Sequence, residues 1–218
     1  MPQWINHNFE RPSPELLEQF RDIPTSILGD SMNRFNTMDA GIRPLKDGTK
    51  LLGSAFTIQM MESSNWEGHI ALTMAKAGDV LIIAARGGMY AAVWGHVMTT
   101  AAKKIGLAGV IVDGCIRDYA ENKAESLPIY CKGIAPGGPH KGWKGNLNVP
   151  VACAGVVVNA GDIIVGDDDG IAVVPLSKAE EVLAEAKSRL AKEDEWYRRI
   201  EAGETTADIL GLEKPQRN

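Results

Sequence analysis

Cysteine is scarce in this chain of 218 residues, and its sequence contains neither long apolar runs nor clusters of basic residues. The three cysteines, Cys115, Cys131 and Cys153, are an odd number without CxxC spacing, which predicts reduced thiols and a cytoplasmic protein. No apolar run approaches the roughly 20 residues that cross a membrane, so we expect no membrane association. The net charge of −5, without a basic run, also argues against direct binding of nucleic acid.

The composition otherwise indicates a globular protein with a sizeable core, because 44% of the residues are hydrophobic and 23% are charged. A chain of this length fits one large domain, or one domain with extensions. The N-terminal segment lacks a basic region followed by an apolar core, so we expect no secretory signal peptide.

Strand and helix patterns alternate along the middle of the chain. Residues 1–12 form an arm that we expect to dock on the body or on a neighbouring subunit. Ser13 and Pro14 begin a first helix, and Thr25 is predicted to cap a second one. Strands are predicted at 51–60, 80–85, 109–112, 128–132, 150–158, 163–165 and 171–174, and helices at 65–76, 95–104 and 119–125. This order predicts an α/β domain with a sheet-rich core.

A long C-terminal helix is predicted at 177–202, with Ser177 and Glu180 as a capping box. Glu193 falls on the apolar stripe of this helix, where a carboxylate is costly unless something pairs with it. Either Glu193 points to water or it meets a partner. The tail after Glu204 is polar, and we expect it to be ordered only where it packs on a partner. The stripe consists of Ala179, Val182, Leu183, Ala186, Leu190, Tyr197 and Ile200.

The stretch 87–118 is the most informative part of the sequence. A loop at 86–89 follows one predicted strand, and the segment 113–118 follows another, ending in Arg117 and Asp118. Functional residues of α/β proteins concentrate where buried strands end in such loops. Arg117 could bind a substrate carboxylate through two parallel hydrogen bonds, and Asp118 could hold a hard metal ion. The alternative is a surface ion pair that contributes little to stability.

A helix that begins near Gly95 would add a second anion-binding element to this region. Its first backbone N–H groups are unpaired, and its dipole places positive charge at that end. We therefore expect two strand ends to meet, one offering N–H donors and the other Arg117 and Asp118. This combination suits a small anionic substrate whose negative charge grows during reaction.

Two further polar segments have ordinary explanations. His140, Lys141 and Lys144 lie in a long loop at 134–148, and we interpret them as solvated charges rather than as ligands for a distal substrate carboxylate. The acidic turn at 166–170 lacks the twelve-residue loop and closing Glu of a typical calcium site, which favours a solvated hairpin turn.

Six motifs are spread over residues 23–203. They are Thr25-Ser26-Ile27-Leu28-Gly29-Asp30, Gly53-Ser54-Ala55-Phe56-Thr57, Ala77-Gly78-Asp79-Val80-Leu81, Trp94-Gly95, Val112-Asp113-Gly114-Cys115-Ile116-Arg117-Asp118, and Gly161-Asp162-Ile163-Ile164-Val165-Gly166-Asp167-Asp168-Asp169-Gly170. Together these motifs resemble those of the RraA-like family. That family includes metal-dependent aldolases acting on 4-hydroxy-4-methyl-2-oxoglutarate and 4-carboxy-4-hydroxy-2-oxoadipate, oxaloacetate decarboxylases, and protein regulators of ribonuclease E.

The resemblance implies a fold and an assembly. It implies a swivelling β/β/α sandwich as a single domain at 23–204, with the arm and helix at 1–22 before it and the tail at 205–218 after it. It also implies a homotrimer or a hexamer. In the family, a glutamate of the C-terminal helix reaches into the neighbouring subunit's metal site, and Glu193 matches that position.

The resemblance also implies a site. Asp118 would anchor Mg²⁺ or Mn²⁺, and Arg117 would bind the oxo or enolate oxygen of a small 2-oxo acid. Backbone N–H groups of Gly95, His96, Val97 and Met98 would hold the substrate carboxylate.

The chain departs from the family's aldolases at His96. Those enzymes carry an Asp or Glu, then twenty residues, then Arg-Asp, and the same count back from Arg117 reaches His96. His96 could pack against Trp94 or Tyr90, could mark a loss of catalysis, or could take over proton transfer, since imidazole titrates near pH ~6.5.

Two functions are therefore open. The first is a metal-dependent lyase that forms the enolate of pyruvate by retro-aldol cleavage or decarboxylation. The second is a non-catalytic trimeric protein that restrains an RNA-degrading enzyme. Retention of Gly95, Arg117 and Asp118 favours the enzyme, whereas His96 favours the regulator. The identity of the 2-oxo acid stays open.

Overall fold

A computed structural model describes residues 4–215. Its centre is an eight-stranded mixed sheet with the strand order β1-β5-β4-β3-β2-β9-β10, while β6 pairs with β2. The helices are α1 Pro14–Glu18, α2 Thr25–Ser31, α3 Trp66–Ala71, α4 His96–Ile105, α5 Tyr119–Ala124, α6 Ala179–Glu201 and α7 Thr206–Ile209. The strands are β1 Arg43–Pro44, β2 Leu51–Gln59, β3 Asp79–Trp94, β4 Gly109–Ile116, β5 Ile129–Ile134, β6 Asn146–Leu147, β7 Val151–Cys153, β8 Val156–Val158, β9 Ile163–Asp167 and β10 Gly170–Val174.

Strands β2 to β5 run parallel, and apolar side chains cover both faces of the sheet there. Parallel strands buried on both faces have near-continuous apolar sequences, as β4 does. The sheet curves into a nearly closed barrel, whose interior is filled by one apolar cluster that includes the β7–β8 hairpin. A second cluster lies under α3 and α4, and a third under α1, α2 and α6. The predicted α/β single domain with a long C-terminal helix is confirmed.

Strand β3 is longer than the sequence pattern predicts. We expected a strand at 80–85 and a flexible loop at 86–89, but β3 continues to Trp94. Arg86 and Gly87 adopt positive φ angles of 61° and 70°, and the register against β4 shifts after Ile83. A β-bulge of this kind bends the strand without ending it. Because the strand continues past the bulge, Trp94 pairs with Ile116 at the end of β4.

The acidic turn joins β9 to β10 as a hairpin, but it is less solvated than predicted. Asp167 is buried and accepts hydrogen bonds from the Thr25 backbone N–H at 2.9 Å and the Thr25 hydroxyl at 2.6 Å. Thr25 is the first residue of α2 and Pro24 is its N-cap residue, so the prediction that Thr25 caps this helix is wrong. Asp168 accepts the N–H of Gly48. The turn thus holds two other segments in place.

The C-terminal helix begins differently from the prediction. A 3-10 turn at Leu176–Lys178 precedes α6, and Lys178 is its N-cap residue without a side-chain capping bond. The predicted capping box at Ser177 is therefore wrong. A true capping box lies further on, where Thr205 and Asp208 begin α7 within the predicted tail.

The N-terminal arm docks on the body. Phe9 packs edge-on against Phe56, with 6.2 Å between the ring centroids. Arg11 donates two hydrogen bonds to the buried carboxylate of Asp79, at 2.7 and 2.9 Å. Within residues 4–215, no helix is long and apolar enough to cross a membrane.

Candidate functional site

The ends of β3 and β4 meet side by side, as the sequence predicts. Trp94 is in register with Ile116, and the Arg117 N–H donates to the Trp94 carbonyl at 2.9 Å. The chain then leaves β3 through Gly95 into α4, and leaves β4 through Arg117 and Asp118 into α5. The start of α4 therefore lies directly beside the Arg-Asp pair.

Asp118 binds the first turn of α4 across this junction. Its Oδ2 atom accepts the His96 backbone N–H at 2.9 Å, while Asp118 itself adopts a left-handed conformation with φ of 57°. Gly95 leaves room for this contact, because a Cβ atom there would lie 2.7 Å from Asp118 Oδ2 and 3.2 Å from the Arg117 side chain. Glycine at position 95 is therefore required by the close approach of the Asp118 carboxylate and the Arg117 side chain.

The helix N-terminus offers fewer free donors than expected. The His96 N–H is taken by Asp118, and the Met98 N–H donates back to the Gly95 carbonyl at 3.0 Å. The Gly95 and Val97 N–H groups donate to no acceptor within residues 4–215. Two of the four predicted donors are thus open for an anion.

Arg117 is half exposed beside the same cleft. Its Nε atom lies 3.8 Å from Asp118 Oδ2, which is too long for a hydrogen bond. On its other side lies Gly138, where an added Cβ atom would approach Arg117 Nη1 to 3.0 Å. The guanidinium therefore keeps donors available for a ligand.

These groups border a cleft of about 280 Å³ that also contains residues the sequence analysis missed. Asn65 is the N-cap residue of α3, and His69 lies one turn further along the same helix. Both residues line the cleft, together with Lys141. Burial and the charge of Lys141 lower the pKa of His69 below its ordinary value of 6.5, so its imidazole is neutral at pH 7. The i, i+4 spacing of Asn65 and His69 after a buried strand was a usable signal.

The loop at 134–148 is largely exposed, but backbone hydrogen bonds tether it beside the site. The His140 N–H donates to the Ser63 carbonyl at 2.7 Å, and the Asn65 N–H donates to the His140 carbonyl at 3.2 Å. Lys144 lies over the Trp66 ring, 5.2 Å from its centroid. His140, Lys141 and Lys144 are exposed, as predicted for solvated charges, and the tethered loop also brings Lys141 to the edge of the cleft.

The His96 side chain points elsewhere. Its Nε2 atom lies 2.9 Å from Glu125 Oε1, and Lys103 binds the other oxygen of the same carboxylate. Lys103 and His96 lower the pKa of Glu125, so this group stays ionised at neutral pH. The imidazole does not line the cleft, and it contacts Glu125 instead of the expected Trp94 or Tyr90. Its catalytic role stays a prediction.

Glu193 lies on α6, which packs against α2 rather than on the edge that carries Arg117. Glu193 is half-buried and does not line the cleft of its own subunit. Further along the helix, Tyr197 and Ile200 of the predicted apolar stripe are exposed. The role of Glu193 in a neighbouring subunit's site therefore stays a proposal.

The donor set fits a hard divalent cation. Asp118 Oδ2 is held by His96, whereas Oδ1 makes no hydrogen bond to any residue in 4–215. Mg²⁺ is commonly bound by one or two carboxylates, with water and substrate oxygens completing its coordination. Within the described chain, no cluster of three or more His, Cys, Asp or Glu side chains could hold a metal ion. A single carboxylate at the cleft is compatible with Mg²⁺ or Mn²⁺.

The fold and the cleft together define a single-domain α/β protein with its polar site where parallel strands end. A family model described as "RraA-like: Aldolase/RraA" matches residues 25–173, and the chain belongs to that RraA-like family.

The relatives carry two kinds of name. A Halalkalibacterium halodurans protein named "Putative 4-hydroxy-4-methyl-2-oxoglutarate aldolase" is 37% identical over 186 residues, covering 85% of this chain and 89% of that protein. The crystal structure of Streptomyces coelicolor RraAS2, described as an unusual member of the RNase ES inhibitor RraA protein family, matches with TM-score 0.77 and 31% identity over 88% of this chain and 99% of its own. RraA from Thermus thermophilis, described as an RNA-processing inhibitor, matches with TM-score 0.64 and 25% identity over 70% of this chain and 92% of its own.

Proposed function

We propose that the protein is a divalent-metal-dependent lyase that cleaves a 2-oxo acid, by retro-aldol cleavage or decarboxylation, and releases pyruvate through its enolate. One observation carries the proposal: Asp118, Arg117 and the N-terminus of α4 border the same cleft. A carboxylate able to hold a hard cation thus lies beside donors able to hold an anion. The relative named as an aldolase supports the same function.

Two parts of the site hold the substrate in this proposal. The open N–H groups of Gly95 and Val97, at the positive end of α4, bind its carboxylate. The guanidinium of Arg117 binds the 2-oxo oxygen, where negative charge develops as the enolate forms. Lys141, which lines the same cleft, binds a second carboxylate of a diacid substrate.

Mg²⁺ or Mn²⁺ supplies Lewis-acid polarisation of the 2-oxo group when bound. Asp118 holds this cation, and Glu193 of an adjacent copy in a trimer or hexamer contributes a further carboxylate. The imidazole of His69 accepts the hydroxyl proton of an aldol substrate, because its lowered pKa leaves it unprotonated and able to act as a base at neutral pH.

The two reactions make different demands on the site. Retro-aldol cleavage needs a base for the hydroxyl proton, whereas decarboxylation of oxaloacetate does not. His96 replaces the acidic residue of the family's aldolases. We therefore expect oxaloacetate decarboxylation to be the more robust activity and aldol cleavage the weaker one.

The second candidate is a non-catalytic regulator of an RNA-degrading enzyme. It is favoured by the net charge of −5 and by the likeness to inhibitors of RNA processing. Such a role does not need a metal-binding carboxylate in a cleft, and for that reason we rank it second.

The test is an assay of purified protein with oxaloacetate and with branched 4-hydroxy-2-oxo diacids, with Mg²⁺, with Mn²⁺ and with excess chelator. We expect pyruvate to form only with metal. Arg117→Lys keeps the charge but loses the planar guanidinium, and should lower turnover by about 10²-fold, as for loss of an oxyanion donor.

Asp118→Asn and Glu121→Gln form a matched pair for the metal. The amide oxygen of the introduced asparagine can still accept the His96 N–H, so we expect an intact fold and weaker Mn²⁺ binding. The exposed Glu121, three residues along in α5, serves as the control. Full activity in chelator, or wild-type Mn²⁺ affinity in Asp118→Asn, would refute the metal mechanism.

A further inference from the structure

Three buried polar side chains connect the elements that carry the site. Trp94 ends β3, Thr99 lies on α4 and Asn122 lies on α5, and all three are at most 2% exposed. The Trp94 Nε1–H donates to Thr99 Oγ1 at 2.8 Å, and the Thr99 hydroxyl donates to Asn122 Oδ1 at 2.6 Å. Asn122 Nδ2 then donates to the Arg117 carbonyl at 2.7 Å. One chain of hydrogen bonds thus runs from β3 to the backbone of the Arg-Asp pair.

Chemistry fixes the direction of every bond in this chain. An indole N–H can only donate, so Thr99 accepts it, and a backbone carbonyl can only accept, so the Asn122 NH₂ group is turned to Arg117. The Asn122 amide oxygen is then turned to Thr99, whose hydroxyl donates to it. The network therefore has one arrangement, and removing any member leaves buried groups unpaired.

The network holds one peptide plane. The Arg117 N–H is bound by the Trp94 carbonyl and the Arg117 carbonyl is bound by Asn122, so the residue is fixed on both sides. The Arg117 carbonyl shares its peptide plane with the Asp118 N–H. Fixing this plane sets the direction in which the left-handed Asp118 leaves the strand and reaches the His96 N–H.

We propose that Trp94, Thr99 and Asn122 act together as positioning residues that set Asp118 and Arg117 against the N-terminus of α4. None of the three needs to touch substrate or metal for this role. The inference rests on the proposed function, because it assigns the network to the metal and substrate site of that lyase.

Thr99→Val and Thr99→Ser test the network. Valine keeps the size of threonine but removes the hydroxyl, whereas serine keeps the hydroxyl. We expect Thr99→Val to weaken Mn²⁺ binding and kcat/KM by about 10- to 100-fold, the usual effect of losing an outer-shell partner of a metal ligand. Thr99→Ser should restore both. Thr100→Val is the matched control, since Thr100 is exposed on the same helix and bonds only to the His96 carbonyl.

A merely structural role predicts a different result. In that case Thr99→Val would unfold at lower temperature, yet the protein still folded at the assay temperature would bind Mn²⁺ and oxalate, used as the enolate mimic, like the wild type. That result would overturn the inference. If Thr99→Val fails to fold, Asn122→Asp replaces it, because aspartate still accepts from Thr99 but cannot donate to the Arg117 carbonyl. Its Mn²⁺ affinity should fall by a similar factor.

Hydrogen exchange separates failure of the network from failure of the proposed function. If the wild type binds neither Mn²⁺ nor oxalate, the proposed function is wrong, and with it the assignment of the network to a metal site. The network itself is then judged by amide exchange in segment 116–122. Faster exchange in Thr99→Val that Thr99→Ser reverses supports the positioning of the Arg-Asp pair, and unchanged exchange overturns it.

Discussion

The carboxylate of Asp118 binds the backbone N–H of His96, 2.9 Å away, although the two residues belong to different strand–helix units. Helix α4 has no capping side chain of its own, because its N-cap residue is Gly95. An acidic group at a helix N-terminus interacts favourably with the helix dipole. The junction of β3 and β4 is therefore also the place where α4 is capped.

Gly95→Ala should damage this junction more than it damages the fold. The added Cβ atom would lie 2.7 Å from Asp118 Oδ2 in a space bounded by two site residues. We expect Mn²⁺ affinity and turnover to fall by about tenfold or more, the scale for a displaced site group. Calorimetric titration and steady-state kinetics measure these effects. Gly142→Ala, which meets nothing within 4 Å, should leave both unchanged, and an equal loss there would contradict the argument.

Substitutions can distinguish the roles of the two histidines, His69 and His96, in aldol cleavage. His69 lines the cleft, whereas the His96 ring bonds to Glu125. We therefore expect His69→Gln to lower aldol turnover by about 10²-fold, the lower range for a general base. His96→Ala should change aldol turnover much less, because the backbone N–H that binds Asp118 remains. If His96→Ala lowered aldol turnover more than His69→Gln, the result would support proton transfer by His96 instead.

The pKa of His69 is lowered below its ordinary value of 6.5. In a plot of aldol activity against pH, we therefore expect the decrease on the acid side to lie below pH 6.5. A base is lost when it becomes protonated, so kcat/KM should fall only once the pH drops below this lowered value. The measurement is the pH dependence of kcat/KM for aldol cleavage, which reports groups of the free protein. A limb above pH 6.5 would argue against His69 as the base.

Glu67 should make stability depend on pH. It is fully buried, its Oε1 accepts the Gly145 N–H, and its Oε2 has no partner within residues 4–215. Burial raises the pKa of Glu67 above its ordinary value of 4.5, so the folded state binds the proton more tightly than the unfolded state. Stability from this group is thus lost as pH rises from the unfolded value through the folded value.

Glu67→Gln should therefore gain stability relative to the wild type as the pH is raised from 5 to 8. Urea unfolding at several pH values measures the difference in the free energy of unfolding. Glu180→Gln, at an exposed position, provides the control. An equal loss of stability in Glu67→Gln at both pH values would show that only the hydrogen bond matters.

Glu193→Ala should keep a trimer or hexamer but lose lyase activity. This expectation follows from the proposed function, in which this carboxylate would serve the metal site of an adjacent copy rather than the fold of its own subunit. Light scattering reports the assembly and kinetics report the activity. Glu195→Ala is the comparison, because Glu195 is exposed and pairs with Arg198 at 2.9 Å. A monomeric wild type would refute the role of Glu193.

The sequence predicts the parts of the site that depend on local pattern. Apolar runs followed by polar segments locate Gly95, Arg117 and Asp118, because parallel strands end at a common edge. The place of Lys141 at the cleft was missed, since it depends on backbone bonds between its loop and Ser63 and Asn65.

Buried polar networks are harder to foresee. Thr99 and Asn122 look like ordinary helical residues in the sequence, and their contact requires the packing of α4 on α5. The length of β3 was misjudged for a similar reason. A glycine pair after an apolar run predicts a loop, whereas pairing with β4 on one side keeps the bulged chain extended.

The docking of the N-terminal arm has a consequence for how the chain is made. The Trp4 N–H donates to Asn146 Oδ1, and the Asn148 side chain donates to the Asn6 carbonyl, contacts that each span 142 positions. A ribosome adding about 5–20 residues per second needs roughly 7–28 s to make such a stretch. The first part of the arm, Trp4 to Asn6, therefore emerges early and cannot make these bonds until the segment at 146–148 follows it. Its attachment is a late step of co-translational folding, and it closes over a sheet whose central strands have already been synthesised.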